Sequence, residues 1–234
     1  RGKPVSRNFQ EILAEAGALA DRGYKEVVLT GANLGCYRDG SRSVTDLLEK
    51  IESIPSIARI RLSSIEVSTV EREIIDYMAD SGKLCRSIHI PMQSGDDTIL
   101  RAMGRRYTSA QYRDLIDYAL EKIPLLGLGT DILTGFPGET NEAFENTLNM
   151  IRQLPFSNLH VFAYSKRPGT KASGMPSQVD IKETKRRSRT IIDIGNEKRR
   201  SFASNFIGRE VSVLIETVRN GIGSGWTGEY LEAR

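Results

Sequence analysis

Cysteine and histidine are nearly missing from this sequence. Its 234 residues include two of each, and Cys36 and Cys85 stand 49 positions apart with no Cys-x-x-Cys pair. A zinc site or iron–sulfur cluster ligated by this chain alone is thereby excluded. Disulfide scaffolding is equally disfavoured, because two cysteines in a domain of this size are expected to be reduced core residues of a cytoplasmic protein. Long apolar runs are lacking too. None exceeds five residues, far short of the roughly 20 that cross a bilayer. The opening Arg1-Gly2-Lys3-Pro4 has neither a starting methionine nor an apolar signal core, so the sequence reads as a piece of a longer polypeptide.

What is present describes a globular chain. Hydrophobic residues make up 39%, aromatics 7% and charged residues 27%, which disfavours disorder, collagen and coiled coil together. The net charge of +3 is unevenly spread. Residues 182–209 carry nine basic side chains against three acidic ones, a net of +6, so the remainder sums to −3. Such clustering is either an electrostatic footprint for a polyanion or a solvated basic helix.

Strand and helix signals alternate along the chain. Asn8 caps a predicted helix to residue 22, stopped by Gly23 and followed by a buried strand at 25–30. Ser43 with Asp46 forms a capping box for a helix to residue 54, and 58–63 is the next strand. Thr69 is expected to cap 70–79, with a short strand at 86–90 ended by Pro91. A second capping box, Thr108 with Gln111, opens a helix to 122, ahead of a strand at 126–133. Thr140 caps a helix to about 153, and 157–163 is the fifth strand. This order predicts right-handed βαβ units and a parallel sheet, open or closed into a barrel. Residues 164–180 read as a loop, and Asp180 with Glu183 starts the basic helix, to about 205. A strand at 210–216, turn material at 221–225 and the segment 226–230 begin a new β element, cut before it is complete.

In parallel α/β folds the site lies at the C-terminal ends of the strands. Here those ends are 30–35, 63–66, 91–95, 130–131 running into 134–139, and 164–170, all rich in polar residues and glycine. Singly, each has a plain alternative. Glu66 and Asp131 could be caps, Asn33 and Gln93 could close their own turns, Arg105 could be solvated, and His89 and His160 read as strand positions rather than metal ligands. Five such segments on one rim are a candidate site.

Six segments in order then carry a resemblance. They are Arg-Gly-x-x-x-Ser-Arg (1–7), Leu-Thr-Gly-x-Asn (29–33), Arg-Leu-Ser-Ser-Ile-Glu (61–66), His-Ile-Pro-x-Gln-Ser-Gly (89–95), Gly-Phe-Pro-Gly-Glu-Thr (135–140) and His-Val-Phe-x-Tyr-Ser-x-Arg-Pro-Gly-Thr (160–170). Together they resemble the radical S-adenosylmethionine methylthiotransferases. Within that family, Lys83-Leu-Cys and Trp226-Thr-Gly-Glu-Tyr look most like the branch that thiomethylates N6-threonylcarbamoyladenosine beside the tRNA anticodon. The isopentenyladenosine and ribosomal-protein branches are the sister alternatives.

The resemblance implies an α/β fold: a partial (β/α)6 barrel over 1–179 lacking its first strand and cluster loop, a basic connecting helix over 180–207, and from 208 to 234 the start of a small all-β, TRAM-like RNA-binding domain. It also implies S-adenosylmethionine and two [4Fe-4S] clusters whose ligands lie outside this chain, so that the fragment alone would be inactive. By likeness to other radical S-adenosylmethionine barrels, Arg105 would grip the methionyl carboxylate. Glu66, Gln93 and Asp131 would take the ribose hydroxyls and neighbouring polar groups. Thr30 and Gly31 would meet the ammonium and carboxylate through the backbone, Gly135 and Pro137 would shape the adenine pocket, and Asn33 belongs to the same rim. The implied reaction is reductive cleavage to a 5′-deoxyadenosyl radical, hydrogen abstraction at C2 of the adenosine, and transfer of a methylated sulfur. Partners would be the anticodon loop of tRNA, whose target base must be unstacked, and a reducing electron donor protein. Arg186, Arg187 and Arg199 become candidate contacts to the RNA backbone. Two other readings remain at this point: a non-catalytic tRNA-binding module, and a phosphate-binding barrel enzyme without iron.

Overall fold

The computed structural model describes residues 5–234, so the first four residues of the 1–7 segment lie outside the described residues. The chain forms two compact units. The first comprises the described residues up to His89 with 119–127 and 210–234, and the second comprises 90–118 with 128–209.

In the first unit, α1 (Phe9–Asp21) is capped by the Asn8 carboxamide oxygen, which accepts from the Gln10 and Glu11 amides. Strand β1 (Glu26–Leu29) and strand β2 (Arg59–Leu62) pair in parallel, Glu26 beside Arg59 and Leu29 beside Leu62. Between them α2 (Val44–Glu52) begins with the expected reciprocal box of Ser43 and Asp46. Helix α3 (Arg72–Asp80) and strand β3 (Ser87–His89) follow, and Ile60 bridges in parallel to Leu84 just ahead of β3. Leu48, Ile51, Ile57, Ile60, Ile65 and Ile74 are fully buried, each contributing about 1.5–3 kcal/mol of hydrophobic stabilisation.

Thr69 does not cap α3. It ends a separate short turn (Val67–Thr69), and Glu71 precedes the helix without a side-chain cap. The Thr69 hydroxyl is engaged instead with the Asn33 carboxamide oxygen at 2.8 Å and lies 2.9 Å from the Glu66 carbonyl. This long-range contact outweighs the local capping preference.

The C-terminal residues belong to this first unit. Strands β6 (Val213–Arg219), β7 (Ile222–Thr227) and β8 (Glu232–Ala233) form an antiparallel sheet. The expected strand thus starts three residues later, and most of 221–225 is strand rather than turn. The turn itself is Asn220-Gly221, both at positive φ, which suits the twist of a tight hairpin. Two arginines of β2 reach this element. Arg59 donates to the carbonyls of Trp226 and Ser212, and Arg61 to that of Thr227 at 3.1 Å. Arg61 is buried, bonded to Glu26 at 3.1 Å and to the Ser87 hydroxyl at 2.9 Å, with the Tyr230 ring 4.8 Å from its guanidinium carbon.

In the second unit, strand β4 (Gly127–Thr134) and strand β5 (Asn158–Ala163) pair in parallel from Gly129 beside Asn158 to Thr134 beside Ala163. Helix α4 (Asp97–Ala102), capped by Asp96, was not expected from the sequence because its six residues are too few to show a period. Helix α5 (Ser109–Lys122), of which 119–122 count with the first unit, opens with the expected Thr108 and Gln111 box, their backbone and side chains bonding reciprocally at 2.9 and 3.2 Å. Helix α6 (Asn141–Gln153) is capped by Thr140. Helix α7 (Ile181–Ser204), capped by Asp180, lies on β5, where Gly195 leaves room for Leu159. Among the described residues no helix is long and apolar enough to cross a membrane.

Candidate cofactor site

The first unit holds four of the predicted residues at the ends of β1 and β2. Thr30 and Gly31 are exposed, and a side chain added at Gly31 would meet only the Leu34 backbone at 3.8 Å, so the peptide is open to close approach by a ligand. Asn33 is half-buried with its carboxamide oxygen on Thr69, 36 positions away, so its side chain does not close its own turn. Thr30, Gly31 and Asn33 line a cavity of about 450 Å³ that also takes in Leu19, Val28 and Leu47. Glu66, half-buried at the turn after β2, is not part of that lining. Close by in sequence, the buried Ser63 hydroxyl has no hydrogen-bond partner in the protein, although buried polar groups are nearly always bonded.

The second unit holds the other five. Gln93 sits at φ +66, donates its N–H to the Asp131 carbonyl at 2.8 Å and accepts from the Leu133 N–H at 2.9 Å, so it joins the edge of β4. Asp131 and Leu133 are half-buried, Leu133 against Ile99, Phe136 and Ala143, while Thr130, Ile132 and Thr134 are buried. The Asp131 carboxylate is 3.3 Å from His160 Nδ1, its neighbour across the β4–β5 ladder. His89 and His160 are both strand residues, as expected. Arg105 is half-buried on the turn after α4, its amide bonded to the Leu100 carbonyl.

Gly135 and Pro137 belong to the tight turn over 135–139. The Glu139 N–H closes it on the Phe136 carbonyl at 2.9 Å, and Gly135 N–H donates to the Glu139 carboxylate at 2.7 Å. Burial pushes that carboxyl above its usual range, against the pull of Arg187 and the Gly135 amide. Phe136 meets the Tyr164 ring edge-on at 5.6 Å, and the buried Tyr164 hydroxyl is, like that of Ser63, without a protein partner.

The basic helix departs from expectation at one position. Arg187 is only 3% exposed, and it bonds the Glu139 carboxylate and carbonyl, Glu183 and Asn141. It cannot serve an RNA backbone, because the helix face bearing it also carries Thr184 and Ile191 into the interior. Arg186 and Arg199 are exposed as expected, with Arg186 paired to Glu183. Sequence reasoning missed the Glu139–Arg187 pair, and it treated His160 as a plain strand residue. Only the β4–β5 register shows that His160 faces Asp131.

The first unit thus offers open backbone at Thr30 and Gly31, and each unit a carboxylate and an orphaned hydroxyl near its strand ends, groups suited to a polar nucleoside. The sequence model of the Radical SAM superfamily matches residues 1–151. The chain belongs to the Radical SAM superfamily. Its likeness to solved members extends to the fold: coproporphyrinogen III oxidase (HemN) from Escherichia coli, a radical SAM enzyme, superposes with a TM-score of 0.62 at 18% identity, over 81% of this chain and 44% of that one. A tRNA-2-methylthio-N(6)-dimethylallyladenosine synthase from Endomicrobium trichonymphae is 37% identical over 95% of the chain, and the threonylcarbamoyladenosine tRNA methylthiotransferase MtaB of Bacillus subtilis is 35% identical over 99%. The chain spans about half the length of these curated relatives, 53% of each.

Radical SAM proteins use S-adenosylmethionine and [4Fe-4S] clusters. The residues present fit the first: Gly31 leaves its peptide open, and Ser63 and Tyr164 keep buried hydroxyls unpaired within the protein. They do not fit a cluster, since the chain's cysteines are one exposed Cys36 and one buried Cys85.

Proposed function

We propose that this chain is the cofactor-binding part of a tRNA methylthiotransferase, with S-adenosylmethionine held at the strand ends. The observation that carries the reading is the 35–37% identity to two tRNA methylthiotransferases over 95% or more of the chain, joined to a polar rim on a radical SAM fold. When bound, the cofactor supplies the hydrogen-abstracting and methyl-donating chemistry. The protein's own residues bind and orient it. Arg105 takes the methionyl carboxylate through its planar fork, the Thr30 and Gly31 backbone takes the amino-acid end, and Glu66, Gln93 and Asp131 take the ribose hydroxyls. The 135–139 turn borders the adenine.

The target is N6-threonylcarbamoyladenosine beside the tRNA anticodon, a choice supported by Lys83-Leu-Cys and Trp226-Thr-Gly-Glu-Tyr, with the dimethylallyl form as the alternative that one of the relatives represents. Exposed Lys182, Lys185, Arg186, Arg189, Arg199 and Arg200 on α7 and the β6–β8 element, as the start of a TRAM-like domain, contact the tRNA in a cytoplasmic setting. Nucleoside mass analysis of tRNA treated with the full-length, cluster-reconstituted protein, cofactor and reductant tests this. A 2-methylthio group on threonylcarbamoyladenosine is expected. Its appearance on the dimethylallyl nucleoside alone would reassign the branch, and no methylthiolation of either would refute the reading.

A further inference from the structure

We infer that Arg187 is a positioning residue for the cofactor, acting through Glu139 on the 135–139 turn. The inference rests on the reading above that this turn borders the adenine. A guanidinium buried to this degree is retained only where its donors are satisfied, and here every nitrogen has a partner. Nη1 donates to the Glu139 carboxylate at 2.8 Å and to the Glu139 carbonyl at 2.7 Å, Nη2 to Asn141 at 2.9 Å and Nε to Glu183 at 2.9 Å. The Phe144 ring lies 5.2 Å from the guanidinium carbon. The carboxylate so held is the one that accepts from the Gly135 N–H. One side chain of α7 therefore fixes both ends of the turn.

Two further contacts from the same helix face bear on that turn. Gly135 has φ +74, and a side chain there would come within 2.2 Å of the Thr184 hydroxyl, so helix and turn meet at a position only glycine can fill. One residue earlier, the Thr134 and Ser188 hydroxyls bond at 2.7 Å. The turn is thus shaped by α7 together with its own Gly135 and Glu139. Breaking a buried pair leaves the surviving charge uncompensated, so loss of Arg187 frees Glu139 and releases Gly135 with it.

Equilibrium binding to the full-length, cluster-reconstituted protein tests this, with S-adenosylmethionine and with 5′-methylthioadenosine, which lacks the methionyl carboxylate, as probes. Arg187→Lys and Glu139→Gln should each weaken both ligands by about tenfold, with the double variant no weaker than either alone. Ile191→Ala, from the same buried helix face, should lower the melting temperature and leave both affinities unchanged. Arg105→Ala should weaken S-adenosylmethionine and spare 5′-methylthioadenosine. Cooperatively folded Arg187→Lys and Glu139→Gln proteins that bind both ligands like the parent would overturn the inference, as would an equal loss in Ile191→Ala. Should Arg187→Lys not fold, Glu139→Gln decides alone. Unchanged binding in Arg105→Ala would instead overturn the site reading on which the inference stands.

Discussion

Gln93 is held beside Asp131 by its backbone, the Gln93 N–H donating to the Asp131 carbonyl at 2.8 Å while Gln93 itself stands at φ +66. Left-handed backbone is unfavourable for side chains other than glycine and is tolerated where surrounding structure enforces it. The position therefore carries a carboxamide at a backbone conformation that glycine would adopt more easily. Gln93→Gly should leave stability within about 1 kcal/mol of the parent, while Gln93→Val should destabilise by about 2 kcal/mol. Both should weaken S-adenosylmethionine. Urea unfolding and equilibrium dialysis separate the two effects.

Buried Arg61 and half-buried Glu26 form an ion pair of the first unit at 3.1 Å, with Arg59 also on Glu26 at 3.7 Å. Arg61→Met should cost less than the roughly 3–5 kcal/mol of a fully buried pair, because Arg59 stays on Glu26, and the loss should be partly recovered in Arg61→Met/Glu26→Leu. Chemical denaturation of the three proteins measures both steps. Equal destabilisation in the single and double variants would show that the Thr227 carbonyl, not the carboxylate, dominates.

On α7, exposure sorts the arginines by role. Arg186→Glu and Arg199→Glu should each flatten the log–log salt dependence of tRNA affinity by about 0.7–0.9 if each meets one phosphate. Arg187→Lys should leave that slope as it is.

Hydrogen bonds from Arg186 and Arg187 hold the Glu183 carboxyl well down, from its ordinary 4.5 to about 2. A depressed carboxyl stabilises the fold above its unfolded pKa, and that contribution fades as pH falls from about 4.5 through about 2. Glu183→Gln should therefore unfold with a shallower acid limb in this window, read by circular dichroism across pH.

The cysteines should differ in reactivity. Cys36 is exposed, whereas burial pushes the Cys85 thiol up to about 11, leaving little thiolate near neutral pH. Iodoacetamide at pH 8 should label Cys36 and spare Cys85, as read by peptide mass spectrometry.

The alternation of helix and strand was legible because its signals are local: Asn8, Ser43, Thr108, Thr140 and Asp180 all sit at the helix starts they announce. Thr69 misled because its hydroxyl is used across 36 positions by Asn33. The rim was legible in outline, since strand-end residues such as Gly31, Gln93 and Gly135 carry unusual composition. Arg187 was not, because a helical period shows which residues share a face but not which face turns inward when both carry charge. In the β hairpin, three glycines within 221–225 suggested a long turn, whereas Gly225 belongs to β7, where the Leu214 carbonyl would lie 1.8 Å from any side-chain carbon.

The clasp between β2 and the hairpin also sets an order of events during synthesis. Arg61 bonds the carbonyl of Thr227, 166 residues downstream, a gap that translation at about 5–20 residues per second takes roughly 8–30 s to cross. Every residue of the second unit has been made before that partner arrives. Of these two units, the first is therefore completed only after the second has been made, although it begins earlier in the sequence.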